Sequence, residues 1–215
     1  MKLLLTSRSC IAVLLLGVSL GAGAAVVVAP TGISASTSDF GGPFALINQI
    51  NQSGLSAGYT SGVTDFDAFV AGTTHNGANA LNSGFSVGPF GRFTYDLGGL
   101  IAINGIGLWE TQNSGSVLSF DLYSDNDSDF SNGASLIGGF VATASGAAIS
   151  SGQSFGFGTV SAAFVHMAIN TTNGGSQPGL GEVIFRAGAT VPEPMTLALV
   201  CVALAGVGLS RRRAR

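Results

Sequence analysis

The stretch VLSFDLYS, residues 117–124, alternates along an extended chain, with Leu118, Phe120 and Leu122 pointing one way and Ser119, Asp121 and Tyr123 the other. An apolar face backed by a polar one marks a strand with one side buried in an antiparallel sheet. FVHMAIN, residues 164–170, repeats the pattern, setting Val165, Met167 and Ile169 against His166, Ala168 and Asn170. Working outward, short apolar segments bounded by Gly, Asn, Ser and Asp predict strands at residues 85–87, 92–97, 103–110, 117–123, 136–142, 154–157, 163–170 and 182–186. The clearest helical signal is FALINQINQSG, residues 44–54, which sets Phe44, Ile47 and Ile50 on one face. Strands this short, without a second long helix, predict an all-β fold, an antiparallel β-sandwich.

Charge is distributed unevenly. Six of the eight basic residues lie near the chain ends (Lys2, Arg8, Arg211, Arg212, Arg213, Arg215), whereas ten of the eleven acids fall between Asp39 and Glu182. The middle therefore sets Arg92 and Arg186 against ten acids, a net charge of −8 without a lysine. Such a surface repels phosphate backbones, which excludes nucleic acid as a partner. Both cysteines, Cys10 and Cys201, lie in the terminal apolar segments, so the middle domain folds without disulfides.

Those ends read as addresses. Lys2 and Arg8, then the apolar run 11–20 and small residues, make a secretory signal peptide, cleaved after Ala24. Cys10 precedes the apolar run, where a lipid-bearing cysteine would follow it. At the other end, residues 195–209 are 15 apolar or small residues that span roughly 22 Å as a helix, short of the roughly 30 Å of a bilayer core. Pro192 and Pro194 stop that transmembrane helix from extending outward, and Arg211, Arg212 and Arg213 hold the tail on the cytoplasmic side. The expected divisions are a signal peptide at 1–24, an N-terminal extension at 25–57, the β-sandwich at 58–190 and a sorting segment at 191–215.

The order Pro192-Glu193-Pro194, apolar run, arginine cluster resembles the PEP-CTERM sorting signal of Gram-negative bacteria. The resemblance implies that Pro192, Glu193 and Pro194 are recognised by an exosortase-type membrane protease. It further implies a transient inner-membrane anchor, then delivery to the cell surface or extracellular matrix, in systems associated with exopolysaccharide.

A second resemblance covers residues 59–186. GRFTYDLGGLIAINGIGLW, SFDLYSDNDSDF, FVHMAIN and GLGEVIF, in that order, resemble the discoidin branch of the galactose-binding-like, jelly-roll β-sandwich. Members of that branch often hold a structural calcium where the first loop meets the last strand, which implies Asp65, Asp67 and Glu182 as its ligands here; carboxylate oxygens suit calcium. Solvated turn acids are the alternative.

Other chemistry is thinly represented. Asp125, Asp127 and Asp129 match the start of a calcium loop, but Phe130 replaces its turn glycine and Leu136 its bidentate Glu, so a hairpin loop with Phe130 packed down on the sandwich is the expectation. His75 and His166 have no second ligand at metal spacing, no G-x-S-x-G occurs, and no pair of acids is marked out, so no enzyme is expected. The only tryptophan, Trp109, is assigned to packing. Tyr59, Phe66, Phe69 and Phe90, with Arg92 nearby, form either a sugar-stacking platform or a cap on the core. The expected function is that of an exported, non-enzymatic surface or matrix protein that binds exopolysaccharide. A ligand-free coat protein and, behind it, a glycan-active enzyme are the alternatives.

Overall fold

The computed structural model describes residues 24–88, 90–112, 114–144 and 146–188. The signal-peptide, transmembrane and sorting-motif assignments lie outside the described residues, save Ala24. Among the described residues no helix is long and apolar enough to cross a membrane.

In chain order the elements are β1 (Val27–Val28), β2 (Gly32–Ala35), β3 (Ser38–Asp39), α1 (Phe66–Gly72), β4 (Thr74–Asn76), β5 (Gly84–Val87), β6 (Arg92–Trp109), β7 (Val117–Asp125), β8 (Ser135–Val141), β9 (Ile149–Ser151), β10 (Gln153–Thr172), β11 (Gly179–Leu180) and β12 (Glu182–Ala187). The main sheet runs β1-β12-β6-β10-β7-β8, with β2 also paired to β6, and the lesser sheets are β11-β5-β3 and β4-β9. Every named strand pair is antiparallel, so the all-β antiparallel sandwich expected from the alternation is the fold. Residues 25–57, expected as an extension, supply β1, β2 and β3.

Two long strands correct the expected count. Residues 92–97 and 103–110 were expected as separate strands because Gly98-Gly99 reads as a turn. Both glycines do have positive φ, +79° and +151°, but they bend the backbone without ending it. On one side of this bend β6 pairs with β2, from Gly32↔Asp96 to Ala35↔Phe93, and on the other with β12, from Glu182↔Trp109 to Ala187↔Ile103. β10 likewise joins the expected 154–157 and 163–170, absorbing the curvature in register shifts after Gly156 and Ala162. The helix expected at 44–54 is replaced by two 3-10 turns, Gly42–Phe44 and Leu46–Gln49, with Ile47 exposed.

The main core fills one face of the large sheet. Phe93, Tyr95, Ile106, Leu108, Phe120, Leu122, Val165, Met167, Val183 and Phe185 meet Leu46, Ile50 and Leu180 there. The alternation read in β7 and β10 accounts for four of these residues and for Ile169, which joins the same core. Across the sheet a second cluster joins Val27, Tyr59, Phe66, Phe69, Val70, Trp109 and Ile184 under α1. That helix starts where Asp65 accepts a hydrogen bond from the Ala68 amide at 2.7 Å. Gly107 lets it lie close, since a Cβ there would stand 2.9 Å from Val70 Cγ2. Trp109 packs as expected, fully buried, with Nε1 donating to the Thr73 carbonyl at 2.9 Å.

Candidate functional site

The residues expected around calcium have other occupations. Asp65 caps α1, and Asp67 takes an ion pair from Arg186 Nη2 at 2.7 Å. Glu182 is fully buried, accepting from the Tyr59 hydroxyl at 2.8 Å and the Gln52 amide at 2.9 Å. Burial pushes its carboxyl up to about 8, and those two donors only partly offset this. The same burial, with Glu182 beside it, raises the Tyr59 phenol. Among the described residues no three His, Cys, Asp or Glu side chains gather as a metal site would require.

Of the four aromatics expected as a ligand platform or a core cap, Tyr59, Phe66 and Phe69 are core, whereas Phe90 is 51% exposed. Tyr59 and Phe66 are buried, and Tyr59 meets Phe69 edge-to-face at 5.3 Å, so their rings are not open to a ligand. Arg92 stacks over the Phe130 ring, 4.0 Å from its centroid.

Phe130 packs down as the sequence indicates, against Tyr123 and His166. Beneath it the His166 ring contacts Thr94 Oγ1 through Nδ1 at 2.9 Å and Asp125 Oδ2 through Nε2 at 3.4 Å. The order hydroxyl, imidazole, carboxylate is that of a nucleophilic triad. Thr94 and Asp125 are buried and His166 is fully so, which makes this a tie between β6, β7 and β10 closed to substrate. Burial, reinforced by the Arg92 charge, lowers the His166 pKa and keeps the ring neutral.

The open surface lies at the end of the sandwich where β6 stops and β12 begins. Two adjoining clefts, about 420 and 280 Å³, share the rings of Phe44 and Phe85 as a common wall. Phe40, Phe44 and Phe85 meet edge-to-face in series at 5.4 and 5.6 Å, and Phe40 is 42% exposed. Opposite them the larger cleft is edged by Ser114, Gly115 and residues 174–177, and the smaller by residues 77–79, Ser83, Thr111 and Gln112. Among the described residues neither lining contains Asp, Glu, His, Lys or Arg.

Both walls are held before any ligand arrives. Asp39 Oδ1 accepts from the Gly41 and Leu46 amides at 2.9 and 3.0 Å, Asn48 donates to the Pro43 and Ser83 carbonyls, and Gln49 bridges the Tyr95 hydroxyl and the Gly84 carbonyl at 2.8 Å each. These amide contacts also explain the 3-10 turns, because they draw the backbone down at Asn48 and Gln49 rather than at Ile47. The facing loops are zipped by Asn173 N to Ser116 O, Gly175 N to Ser114 O and Gly179 N to Gly115 O, at 2.8 to 3.0 Å. At Gly179 a Cβ would overlap the Phe85 ring, so glycine seats the aromatic wall. Glu110, at the foot of one loop, is fully buried with neither oxygen in a hydrogen bond of normal geometry, and burial pushes its carboxyl up to about 8.

Sequence reasoning missed this site because its aromatic residues come from separate segments. Phe44 was assigned to a helix face and Phe85 to a strand; the local signal was FGGPF at 40–44, two phenylalanines around a Gly-Gly-Pro turn. Ring faces flanked by hydroxyls, side-chain amides and backbone groups suit an uncharged polyhydroxylated ligand. No acid or base of the lining is placed to cleave it.

No protein-family model and no curated protein matches the sequence. The fold is similar to that of chitosan-binding module 1 from a Paenibacillus sp. IK-5 chitosanase/glucanase: TM-score 0.52, 12% identity, 76% of this chain and 99% of that one. It is also similar to the family 32 carbohydrate-binding module of Clostridium perfringens NanJ, solved with galactose: TM-score 0.50, 10% identity, 75% and 98%. The CBM32-1 and CBM32-2 domains of C. perfringens ZmpB, solved with GalNAc, match at TM-score 0.52 and 10% identity over 74% of this chain and 33% of that one. At such identities the likeness is one of fold, that of the discoidin-like carbohydrate-binding modules.

Proposed function

We propose that this chain is an exported, non-enzymatic glycan-binding protein whose site is the pair of clefts around Phe40, Phe44 and Phe85. The uncharged, aromatic and amide-lined character of those clefts carries the reading. With no cation among the described lining residues to hold carboxylate or sulfate, the ligand is a neutral glycan. The shared Phe44–Phe85 wall fits a chain of at least two sugar units, one to each side. Fold likeness to modules solved with galactose and GalNAc supports the class of ligand, not its identity.

Export and sorting rest on the sequence: the signal peptide, the Pro192-Glu193-Pro194 motif, the apolar run and Arg211–Arg213. In this proposal an exosortase-type protease processes the chain and delivers it to the surface or matrix. The position of the described ends suits that route. Ala187 N donates to Val26 O at 2.9 Å, so both ends leave side by side, about 17 Å along β12 from the cleft end. A domain held by its C-terminal segment would present the clefts outward.

Titration of the full chain in a mild detergent with neutral and anionic polysaccharides tests this. Saturable binding to a neutral polymer is expected, weakened about tenfold by Phe40→Ala, the equivalent of about 1.4 kcal/mol, and unaffected by a calcium chelator. Because Phe40 is half exposed, its removal leaves the core intact. Equal affinity in the variant would remove the clefts from consideration, and preference for the anionic polymers would overturn the ligand class.

A further inference from the structure

The two ends of the main sheet are unequal, two residues at β1 and seven at β8. Among the described residues no strand pairs with the outer side of β8, whose backbone groups there are a template for another strand. Edge strands are commonly blunted by lysine, proline or an inward charge, and SLIGGFV has none of these. Its one irregularity is a bulge: Leu122 pairs with Gly138 and Tyr123 with Leu136, leaving Ile137 extra, so the stretch from Gly138 to Val141 is regular.

Side chains on this flank are apolar and open. Leu136 is 63% and Val141 76% exposed. Half-buried Phe140, stacked on Phe120 at 5.6 Å, continues the surface toward Phe155 and Phe157. The charge pattern points to the occupant. From Ser131 through Val165, 35 residues covering β8, β9 and much of β10, the chain has no acidic or basic residue, although the domain carries −8 overall. The one acid that β7 sets against β8 is Asp121, beside Gly139, so a second copy bringing the same negative charge meets little repulsion along this flank.

We propose that β8 pairs antiparallel with β8 of a second copy about a two-fold axis, joining two main sheets into one. The strand is self-complementary in that arrangement with Gly139 on the axis: Gly138 of one copy stands opposite Phe140 of the other, so each phenylalanine meets an empty position. A two-fold contact uses each edge once and closes at the dimer. The pairing is independent of the glycan cleft.

Sedimentation velocity of the full chain in a non-denaturing detergent, over a wide concentration range, tests it with Val141→Lys and Leu100→Lys. Leu100 is 65% exposed on β6, so its lysine controls for an added charge elsewhere. The expected result is a reversible dimer for the wild type and Leu100→Lys, with dimerisation at least about tenfold weaker in Val141→Lys. A monomer at every concentration, a dimer indifferent to Val141→Lys, equal loss in both variants, or species growing beyond the dimer would each overturn the pairing. Cooperative melting of both variants confirms that they fold.

Discussion

Gly181→Ala is expected to lower the melting temperature by about 6–12 °C. A Cβ at this position would overlap the imidazole of His75, and that ring has nowhere to go. It is fully buried, its Nε2 is 2.7 Å from the Asn82 carbonyl, and its strand is paired to β9 through His75↔Ser150. Gly181 is fixed from the other side, its amide donating to the Trp109 carbonyl at 2.8 Å. Overpacking of this kind costs about 1–3 kcal/mol, and stretching the His75–Asn82 bond adds to it, for roughly 3 kcal/mol in total. In a domain of this size each kcal/mol shifts the transition by about 2–4 °C. Adding His75→Ala to Gly181→Ala removes the obstructing ring, so the double variant should lose about 1–2 kcal/mol less than the sum of the singles. Circular-dichroism melts of the four proteins decide it: strict additivity, or a Gly181→Ala melt within about 1 °C of wild type, would show that the ring and the glycine are not in contact.

The same pair shows what the sequence could and could not display. Strand alternation was legible in Phe120 and Leu122 and in Val165, Met167 and Ile169 because one side of each strand meets the core and the period of two is local. A contact such as Gly181 on His75 joins residues more than a hundred positions apart and leaves no local trace. Gly98-Gly99 misled because glycine with positive φ serves equally in a turn and in a bend within a continuous strand, and only the pairing partners β2 and β12 distinguish the two. α1 was missed for a different reason. Its single turn of apolar spacing, Phe66, Phe69 and Val70, is too short to stand out from loop aromatics, and its stability comes from packing on Gly107 and Trp109. Glu182 was identified as important, but the partners implied by resemblance, Asp65 and Asp67, are replaced by Tyr59 and Gln52. Burial pushes this carboxyl up to about 8, against the two hydrogen bonds it accepts.

That substitution makes stability fall as pH rises. Unfolded, Glu110 and Glu182 release their protons near pH 4.3; folded, both are pushed up to about 8, first by burial. Between those values the folded chain binds more protons than the unfolded one, so the stability linked to the two groups is complete below about pH 4.3 and is lost progressively up to about pH 8. His75 and His166 act in the opposite sense. Burial lowers both, so protons lost from the unfolded imidazoles make the fold more stable as pH rises through about 6.5, levelling off about one pH unit above it. From pH 6.5 to 8 the two carboxyls therefore outweigh the histidines, each carboxyl withdrawing on the order of 2 kcal/mol against about 0.4 kcal/mol still to come from each histidine. The melting temperature should fall by roughly 10 °C across that interval. Glu182→Gln fits the same space, its oxygen accepting from the Gln52 amide while its NH2 donates to a reoriented Tyr59 hydroxyl, and should remove about half of the slope. Adding Glu110→Gln should remove the rest, and a double variant that keeps the wild-type slope would rule these two groups out as its source. Because Glu182 ties down Gln52 and Tyr59, and Glu110 stands at the foot of a cleft loop, the charge that forms on them at high pH loosens the end of the sandwich that carries the clefts. Glycan affinity should therefore decline over the same interval in the wild type and hold steady in the double variant.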